Sequence, residues 1–388
     1  MQIKKSKASA ILSFVFLFIS FTQFDLFLGA DETDNKLRLF TLCLLLASVV
    51  FLLVLVEKKL EINKRFLAPF LFFLGLFAVT SFFYGITAIQ KWMFFFVVCS
   101  SVVVYLSIVA NKTDVFLKVI YLLIVFNVIA LVSQFLIYHA VSYHIDFHKI
   151  LLPFSRESVM GAERGFGFTR FNGFQLEPGT YAVTMVHLVS LHYFLSGKLK
   201  KLHVIALLTN FLTFSASAIV LTFLTFLAIG YSNIKQFNVK KVAAAISALM
   251  LLGVVVLYSG VIDYAQSRFI DRGIDADGST RIKVYNVMFW LESDVERKIL
   301  GSGFEFIDCE YCEFVNSNGV AFSLIFYLGM WSLPIFVLLF RTIAKDRFLQ
   351  GYILVILFSR YTLIDPALWL VLLTIIGGKK AFNEVRIS

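Results

Sequence analysis

Long apolar runs recur from one end of the chain to the other, and they constrain its fold more than any other feature. A helix needs about 20 apolar residues to cross the hydrocarbon core of a bilayer. Of the 388 residues, 59% are hydrophobic and only 15% are charged. One water-soluble core cannot bury so much apolar surface, whereas lipid can solvate it. The sequence therefore predicts an all-α, polytopic, multi-pass integral membrane protein.

We predict about twelve transmembrane helices, or as few as about ten if short neighbouring runs form single broken helices. The short runs form two pairs, 202–214 with 216–231 and 349–362 with 364–377. Residues 1–388 then form a single membrane domain. The predicted spans cover residues 8–29, 39–56, 66–83, 92–110, 115–137, 178–196, 202–214, 216–231, 242–262, 319–340, 349–362 and 364–377.

Basic residues are concentrated in every second connection between the predicted spans. If the amino terminus is cytoplasmic, more than half of the 35 Lys and Arg residues fall in cytoplasmic segments, as the positive-inside rule requires. The short outer connections contain only Lys36, Arg38 and Lys91. Both termini are therefore predicted to be cytoplasmic. The net charge of +10 does not indicate nucleic-acid binding, because these residues lie between apolar runs and form no basic domain.

Two longer connections, 138–177 and 263–318, are predicted to be large periplasmic loops, and long loops on a rigid scaffold often carry function. Arginine is a good phosphate ligand because its guanidinium fork matches phosphate oxygens. The first loop contains Arg156, Arg164 and Arg170. Its other titratable side chains include His139, His144, Asp146 and His148. Their spacing could suit a metal, but they complete no known site, so we expect no metal and no cofactor.

The first loop ends at Glu177-Pro178, which has the pattern of a helix start. Proline suits the first helical position, where its missing N–H costs nothing. Glu177 then lies at the helix N-terminus, where the macrodipole favours negative charge. Two interpretations stay open. Glu177 either serves only as a helix cap, or acts as an acid or base beside Arg170 at the membrane surface.

The second loop contains a predicted amphipathic helix at 281–292, with Ser279 or Thr280 as its cap. Arg281 opens this helix, and a basic side chain beside exposed backbone N–H groups makes a natural anion site. The alternative is a surface helix with a solvated arginine. Glycines at 301 and 303 indicate a tight turn after it.

Three motifs follow one another between about residues 150 and 335. They are RFNGFQLEPG at 170–179, STR at 279–281 with GSG at 301–303, and NSNGVAFSLIFYLG at 316–329. Arg156 and Gly167 add an arginine-plus-glycine spacing in the first loop. Together with the predicted topology, these motifs resemble those of the bacterial polysaccharide polymerase and O-antigen ligase superfamily. Within that superfamily they are most similar to the Wzy-type O-antigen polymerases.

The resemblance implies a metal-independent glycosyltransferase at the periplasmic face of the bacterial inner membrane. Its donor and acceptor would be undecaprenyl-diphosphate-linked oligosaccharides, which it would polymerise into O-antigen or a related surface polysaccharide. Membrane lipids, a chain-length regulator and a flippase are the implied partners. Carried over by motif, Arg170 and Arg281 would hold the diphosphate, and Glu177 belongs to the same motif as Arg170. The substrate-binding candidates are Arg156, Arg164, Gly173, Lys283, Tyr285, Asn316 and Asn318.

One departure separates the chain from the related ligases, which carry a histidine at the entry to the late span. Asn316 and Asn318 stand there instead, and an amide cannot act as a general base at neutral pH. This difference favours a polymerase over an O-antigen ligase that transfers to lipid A core or protein. The non-enzymatic alternative is a flippase or transporter of lipid-linked oligosaccharide, for which the sequence lacks the repeated halves typical of transporters.

Overall fold

The computed structural model describes most of the chain, in nine stretches. These are residues 2–22, 45–50, 61–82, 85–151, 169–233, 278–302, 315, 318–363 and 365–383. All regular secondary structure in these stretches is helical, and they contain no strand. The predicted all-α class is therefore confirmed for the described residues.

Fourteen labelled α-helices make up the described fold, and residues 45–50 are also helical. The first seven are α1 (Gln2–Phe21), α2 (Lys64–Phe82), α3 (Gly85–Ala110), α4 (Thr113–Val141), α5 (Phe147–Leu151), α6 (Pro178–Ser196) and α7 (Lys201–Thr209). The others are α8 (Ala216–Ser232), α9 (Gly278–Glu292), α10 (Val295–Leu300), α11 (Val320–Leu328), α12 (Leu333–Ile343), α13 (Arg347–Phe358) and α14 (Pro366–Asn383). Two 3₁₀ helices are η1 (Asn210–Thr213), after α7, and η2 (Gly329–Ser332), between α11 and α12.

The predicted spans coincide broadly with these helices. The break between 202–214 and 216–231 agrees with the predicted boundaries, whereas a break inside 319–340 was not predicted. The run 319–340 is divided at Gly329, whose φ of +54° ends α11 before η2 and α12 continue it. Phe214, with φ +46°, separates η1 from α8. The run 242–262 and parts of 8–29 and 39–56 lie outside the described residues.

Two described helical segments are long and apolar enough to cross a membrane, namely Thr113–Val141 and Val320–Ile343. The second comprises α11, η2 and α12. Shorter apolar helices occur at Lys7–Phe21, Phe95–Ala110, Lys201–Thr213, Ser217–Ser232 and Arg347–Phe358. The number of spans and the side of the membrane on which each loop lies stay predictions.

Helices α6 and α14 lie at the centre of the bundle and contact each other. Helix α6 also packs against α4, α7, α8 and α13, whereas α14 packs against α1, α2 and α3. The fully buried Trp369 of α14 contacts the rings of Phe73 and Phe95, with centroids 5.0 Å away in each case. Its indole N–H donates to the carbonyl of Leu363 at 2.7 Å. Large aromatic side chains thus fix α14 against α2 and α3.

Several helix ends that carry basic residues meet at one end of this bundle. The hydroxyl of Thr113, at the start of α4, donates to the carbonyl of Phe382 in α14 at 2.7 Å. Lys379 of α14 pairs with Asp346, the cap of α13, with Nζ 3.3 Å from Oδ2. The candidate site lies towards the opposite end of α4, about 30 Å away at 1.5 Å per residue.

Candidate functional site

The segment before α6 is held in place by Gln134, a residue of α4. Its Oε1 accepts hydrogen bonds from the backbone N–H groups of Asn172 and Gly173, each at 3.0 Å. Its Nε2 donates to Asn172 Oδ1 at 3.0 Å and to the Ile145 carbonyl at 2.7 Å. Gln134 and Asn172 are both 0% exposed. A buried amide bonded through both its oxygen and its nitrogen specifies one conformation of the segment.

The same segment is closed into a turn by further bonds. Asn172 Nδ2 donates to the carbonyl of Gln175, whose N–H donates to the carbonyl of Asn172 at 3.0 Å. His148 Nδ1 lies 3.0 Å from the carbonyl of Phe174 and is the donor there, because a carbonyl only accepts. Gly173 has φ +58°, and a Cβ there would lie 3.3 Å from the Tyr181 ring. Glycine therefore permits the turn, and Gly173 is buried within it.

Helix α6 begins as the sequence predicts. Pro178 is its first residue, and Glu177 stands at the N-cap with extended backbone angles, φ −128° and ψ 148°. The Thr180 hydroxyl accepts from the Glu177 N–H at 3.3 Å and donates to its carbonyl at 2.6 Å. The Glu177 side chain is half-buried. The capping position is confirmed, and a further acid–base role for Glu177 stays a prediction.

The N-terminus of α8 lies beside that of α6. A Cβ on Gly179 would be 3.4 Å from both Ser215 Oγ and Ser217 Oγ, and these two hydroxyls are 2.8 Å apart. Arg170 Nε donates to the carbonyl of Thr213 at 3.3 Å, which ties the RFNG segment to the end of η1. Two helix N-termini, two hydroxyls and a guanidinium are thus gathered in one region. Because helix N-termini carry exposed N–H donors and positive potential, this arrangement suits an anion such as a phosphate.

The helix predicted in the second loop is confirmed, but its start and its surface differ from the prediction. Helix α9 begins at Gly278, so Ser279 and Thr280 lie inside its first turn and do not cap it. Helix ends of this kind shift by one or two residues with small changes in backbone angle. The predicted amphipathic pattern is also wrong, because Asn286 is fully buried whereas Met288 and Leu291 are exposed.

Helix α9 contacts the entry to α11, which brings the second and third motifs together. Asn318 Nδ2 donates to the carbonyl of Lys283 at 2.9 Å. After α10 the chain turns at Gly301, with φ +78°, and the N–H of Ser302 donates to the carbonyl of Phe326 at 2.9 Å. Gly301 therefore ends α10 and packs against the end of α11. Gly303, the second glycine of the predicted turn, lies outside the described residues, so the turn stays a prediction.

The structure thus places the predicted residues in two groups. Arg170, Gly173 and Glu177 share the segment before α6, whereas Lys283 and Asn318 meet at α9, close in sequence to the exposed Tyr285. Arg281 lies in the first turn of α9. The candidates outside the described residues are Arg156, Arg164 and Asn316.

Sequence reasoning missed the residues that shape the first group. Gln134 is a polar residue in an apolar span. Its side chain holds the segment before α6 in place, with Asn172 as its partner. The available signal was a lone amide near the end of a long apolar helix. Ser215 and Ser217 gave no signal, because their position beside Gly179 depends on the packing of α6 against α8.

The described residues contain no group of three or more His, Cys, Asp or Glu side chains that could hold a metal. Of the histidines and acids considered for that role, His148 is bonded to the Phe174 carbonyl, and Asp146 Oδ1 accepts from the Lys149 N–H at 2.9 Å.

No protein-family model matches the chain, and no curated protein or solved structure is significantly similar to it.

Proposed function

We propose that the chain is a multi-pass protein of the bacterial inner membrane. Leu122, Ile129 and Leu136 of α4 are spaced seven residues apart and are 46%, 58% and 58% exposed. Val337 and Phe340 of α12 are also exposed. Continuous apolar faces of this kind are unusual on water-soluble monomers, and lipid is a partner that covers them. The two helical segments of spanning length carry these faces, which supports a membrane location.

Within this membrane, the chain polymerises undecaprenyl-diphosphate-linked oligosaccharide repeat units into O-antigen or a related polysaccharide. A hydroxyl of the acceptor repeat attacks the anomeric carbon of the donor, and the lipid diphosphate leaves with the bonding electrons. The main catalytic task is to stabilise the negative charge that develops on the diphosphate. The proposed reaction uses no metal ion.

The observation that carries the proposal is the buried bonding of Gln134 to Asn172 and Gly173. This network fixes the segment that places Arg170 near two helix N-termini. A preorganised group of N–H donors, hydroxyls and a guanidinium binds a diphosphate without reorganising during the reaction. Glu177 stands at the same helix start and stays a candidate acid–base group.

The second motif contributes Arg281, which lies in the first turn of α9. The N-terminus of a helix favours anions. Asn318 donates to the carbonyl of Lys283, so its amide links α9 to the α11 entry. An amide in this position cannot take a proton from an acceptor hydroxyl. The amide therefore favours a polymerase over a ligase, because the related ligases have a histidine at the start of this helix.

Arginine substitutions test the proposed diphosphate site. Arg170→Ala and Arg281→Ala should each lower polymerisation about a hundredfold, or roughly 3 kcal/mol, because each removes a charged hydrogen bond to the developing charge. Lysine should substitute poorly at both positions if the guanidinium binds as a two-pronged fork. The measurement is the length distribution of surface polysaccharide, with each variant's membrane abundance checked by blot.

Arg297 provides the matched control for these substitutions. It lies in α10, outside the three motifs, and its guanidinium lies 5.5 Å from the centroid of the Phe289 ring. Arg297→Ala should leave the polymer ladder unchanged. Normal polymer from Arg170→Ala or Arg281→Ala at normal abundance would refute the site. Equal loss in Arg297→Ala would point to general surface charge instead.

A further inference from the structure

Helices α9 and α10 carry apolar side chains on their exposed surface. Helix α9 buries the polar side chain of Asn286 completely. The exposed apolar residues follow one another at intervals of three or four, and they form the α9–α10 row of Val284, Met288, Leu291, Val295 and Ile299. Residues at this spacing lie on one side of a helix. A helix that faces water has polar side chains on its exposed side instead.

Helix α10 is held against the break between α11 and α12. The backbones approach so closely that a Cβ on Gly329 would lie 2.6 Å from the Lys298 carbonyl oxygen. The N–H of Ser302 donates to the Phe326 carbonyl at 2.9 Å. In an unbroken helix this carbonyl would accept from the N–H four residues later, so the second loop supplies a donor where α11 ends. Lys298 Nζ also donates to the Leu291 carbonyl at 2.7 Å, which ties α10 to α9.

The α9–α10 row adjoins a surface that the proposed membrane location assigns to lipid. Helix α10 contacts η2, whose Met330 and Trp331 are exposed. The exposed apolar surface continues along α12, at Leu333, Val337 and Phe340. Tryptophan is enriched where a membrane meets water, because its ring is apolar and its N–H is polar. The row and the lipid-facing side of α12 are therefore parts of one apolar surface, with Trp331 where they meet.

The position of η2 along the span agrees with the depth of the interface. Helix α12 ends at Ile343, whose carbonyl accepts from the N–H of Asp346 at the end of the bundle that carries basic residues. Trp331 is twelve residues before Ile343, so it lies about 18–20 Å from that end. In a hydrocarbon core about 30 Å thick, this is roughly 10 Å below the opposite boundary. Helices that lie in the interface are buried about 5–10 Å.

Charged residues among the apolar ones also fit an interface better than the hydrocarbon core. Glu292, Asp294 and Glu296 are exposed next to members of the row. A carboxylate in the centre of a bilayer is costly, whereas at the boundary it reaches water while its apolar neighbours contact acyl chains.

We infer that α9 and α10 lie in the membrane–water interface and that acyl chains of bilayer lipid cover the α9–α10 row. This inference rests on the proposed membrane location but not on the proposed chemistry. The second loop is then anchored in the bilayer surface and does not extend freely into water. Arg281, in the first turn of α9, is thereby kept near the lipid head groups. The diphosphate of a lipid-linked substrate lies at the same depth, because charged groups stay out of hydrocarbon.

The test compares three valines of nearly equal exposure in the full chain. Val295 of the row is 70% exposed, Val337 of α12 is 65% exposed and Val141 of α4 is 67% exposed. Val337 is the lipid-facing reference. Val141 is the water-facing reference, because it ends α4 about 42 Å from Thr113, beyond the thickness of the hydrocarbon core. The four cysteines of the chain are first replaced with alanine. Each valine is then changed to a single cysteine that carries the fluorophore NBD.

Fluorescence quenching in nanodiscs measures what surrounds each label. The nanodiscs contain phosphatidylethanolamine and phosphatidylglycerol with brominated acyl chains, and iodide is the quencher in water. Bromine should quench Val295→Cys nearly as strongly as Val337→Cys and several-fold more strongly than Val141→Cys. Met288→Cys should repeat the Val295→Cys result on α9.

Three other outcomes would contradict the inference in distinguishable ways. If iodide quenched Val295→Cys as strongly as Val141→Cys while bromine quenched Val337→Cys, the inference would be overturned and the membrane location would stand. Protection of Val295→Cys from both quenchers would also overturn it, because protein, such as a second copy of the chain, would then cover the row. Absence of bromine quenching at Val337→Cys would refute the membrane location itself.

Discussion

Replacing Gln134 with leucine tests the network on which the candidate site depends. Leucine has nearly the same volume but cannot bond to the segment before α6. The substitution leaves the N–H groups of Asn172 and Gly173 without their acceptor, and the Ile145 carbonyl without its donor. Each unsatisfied buried group costs about 1–3 kcal/mol, so the ordered segment loses at least about 3 kcal/mol. This is about a hundredfold in the equilibrium between its ordered and open forms.

Hydrogen exchange in nanodiscs measures this effect without reference to activity. Peptides covering 169–177 should exchange about a hundredfold faster in Gln134→Leu than in the wild-type chain. Asn127→Leu is a matched control, because Asn127 is also buried in α4 but its Nδ2 donates only to Leu123 of the same helix. It should leave exchange at 169–177 unchanged. Unchanged exchange in Gln134→Leu would refute the reasoning, as would equal acceleration in both variants.

Two glycine pairs test the packing of the helices by thermal unfolding in detergent. Gly301→Ala should lower the free energy of unfolding by more than about 2 kcal/mol, because φ is +78° and the new Cβ would lie 2.3 Å from the Tyr327 carbonyl oxygen. Gly197→Ala should lower it by only about 1 kcal/mol, because φ is +66° but the new Cβ would meet open space. Gly351→Ala should cost about 1–3 kcal/mol, because its Cβ would lie 2.8 Å from the Ala228 Cβ on α8. Gly75→Ala, with nothing within 4 Å, should stabilise α2 by up to about 1 kcal/mol. If Gly301→Ala and Gly197→Ala, or Gly351→Ala and Gly75→Ala, changed the unfolding temperature equally, the described packing would be contradicted.

Local sequence rules predicted the features that depend on neighbouring residues. Pro178 fixes the start of α6 because its ring suits the first helical position, and the structure confirms Glu177 as the cap. The helix at the STR motif was also predicted, although its cap and its amphipathic pattern were wrong. Long apolar runs predicted most of the helices, because hydropathy alone identifies apolar segments long enough to cross a membrane.

Features that depend on contacts between distant segments could not be predicted from a single sequence. Gln134 is 38 residues from Asn172, and nothing in the pattern of α4 shows that its amide meets that segment. The break at Gly329 was also missed. That break follows from the close approach of Gly301, where a Cβ on Gly329 would lie 2.5 Å from the Gly301 nitrogen. Hydropathy is continuous through the break, so the run reads as one span.

Purified chain reconstituted with lipid-linked repeat units tests the central claim most directly. The vesicles contain no other protein, and products are separated by the number of repeats. The account predicts a ladder of two and more linked repeats, with one undecaprenyl diphosphate released for each new glycosidic bond. A lipid-linked repeat that crosses the bilayer but is never extended would identify a flippase. Transfer only to added lipid A core would identify a ligase, and either result would contradict the polymerase.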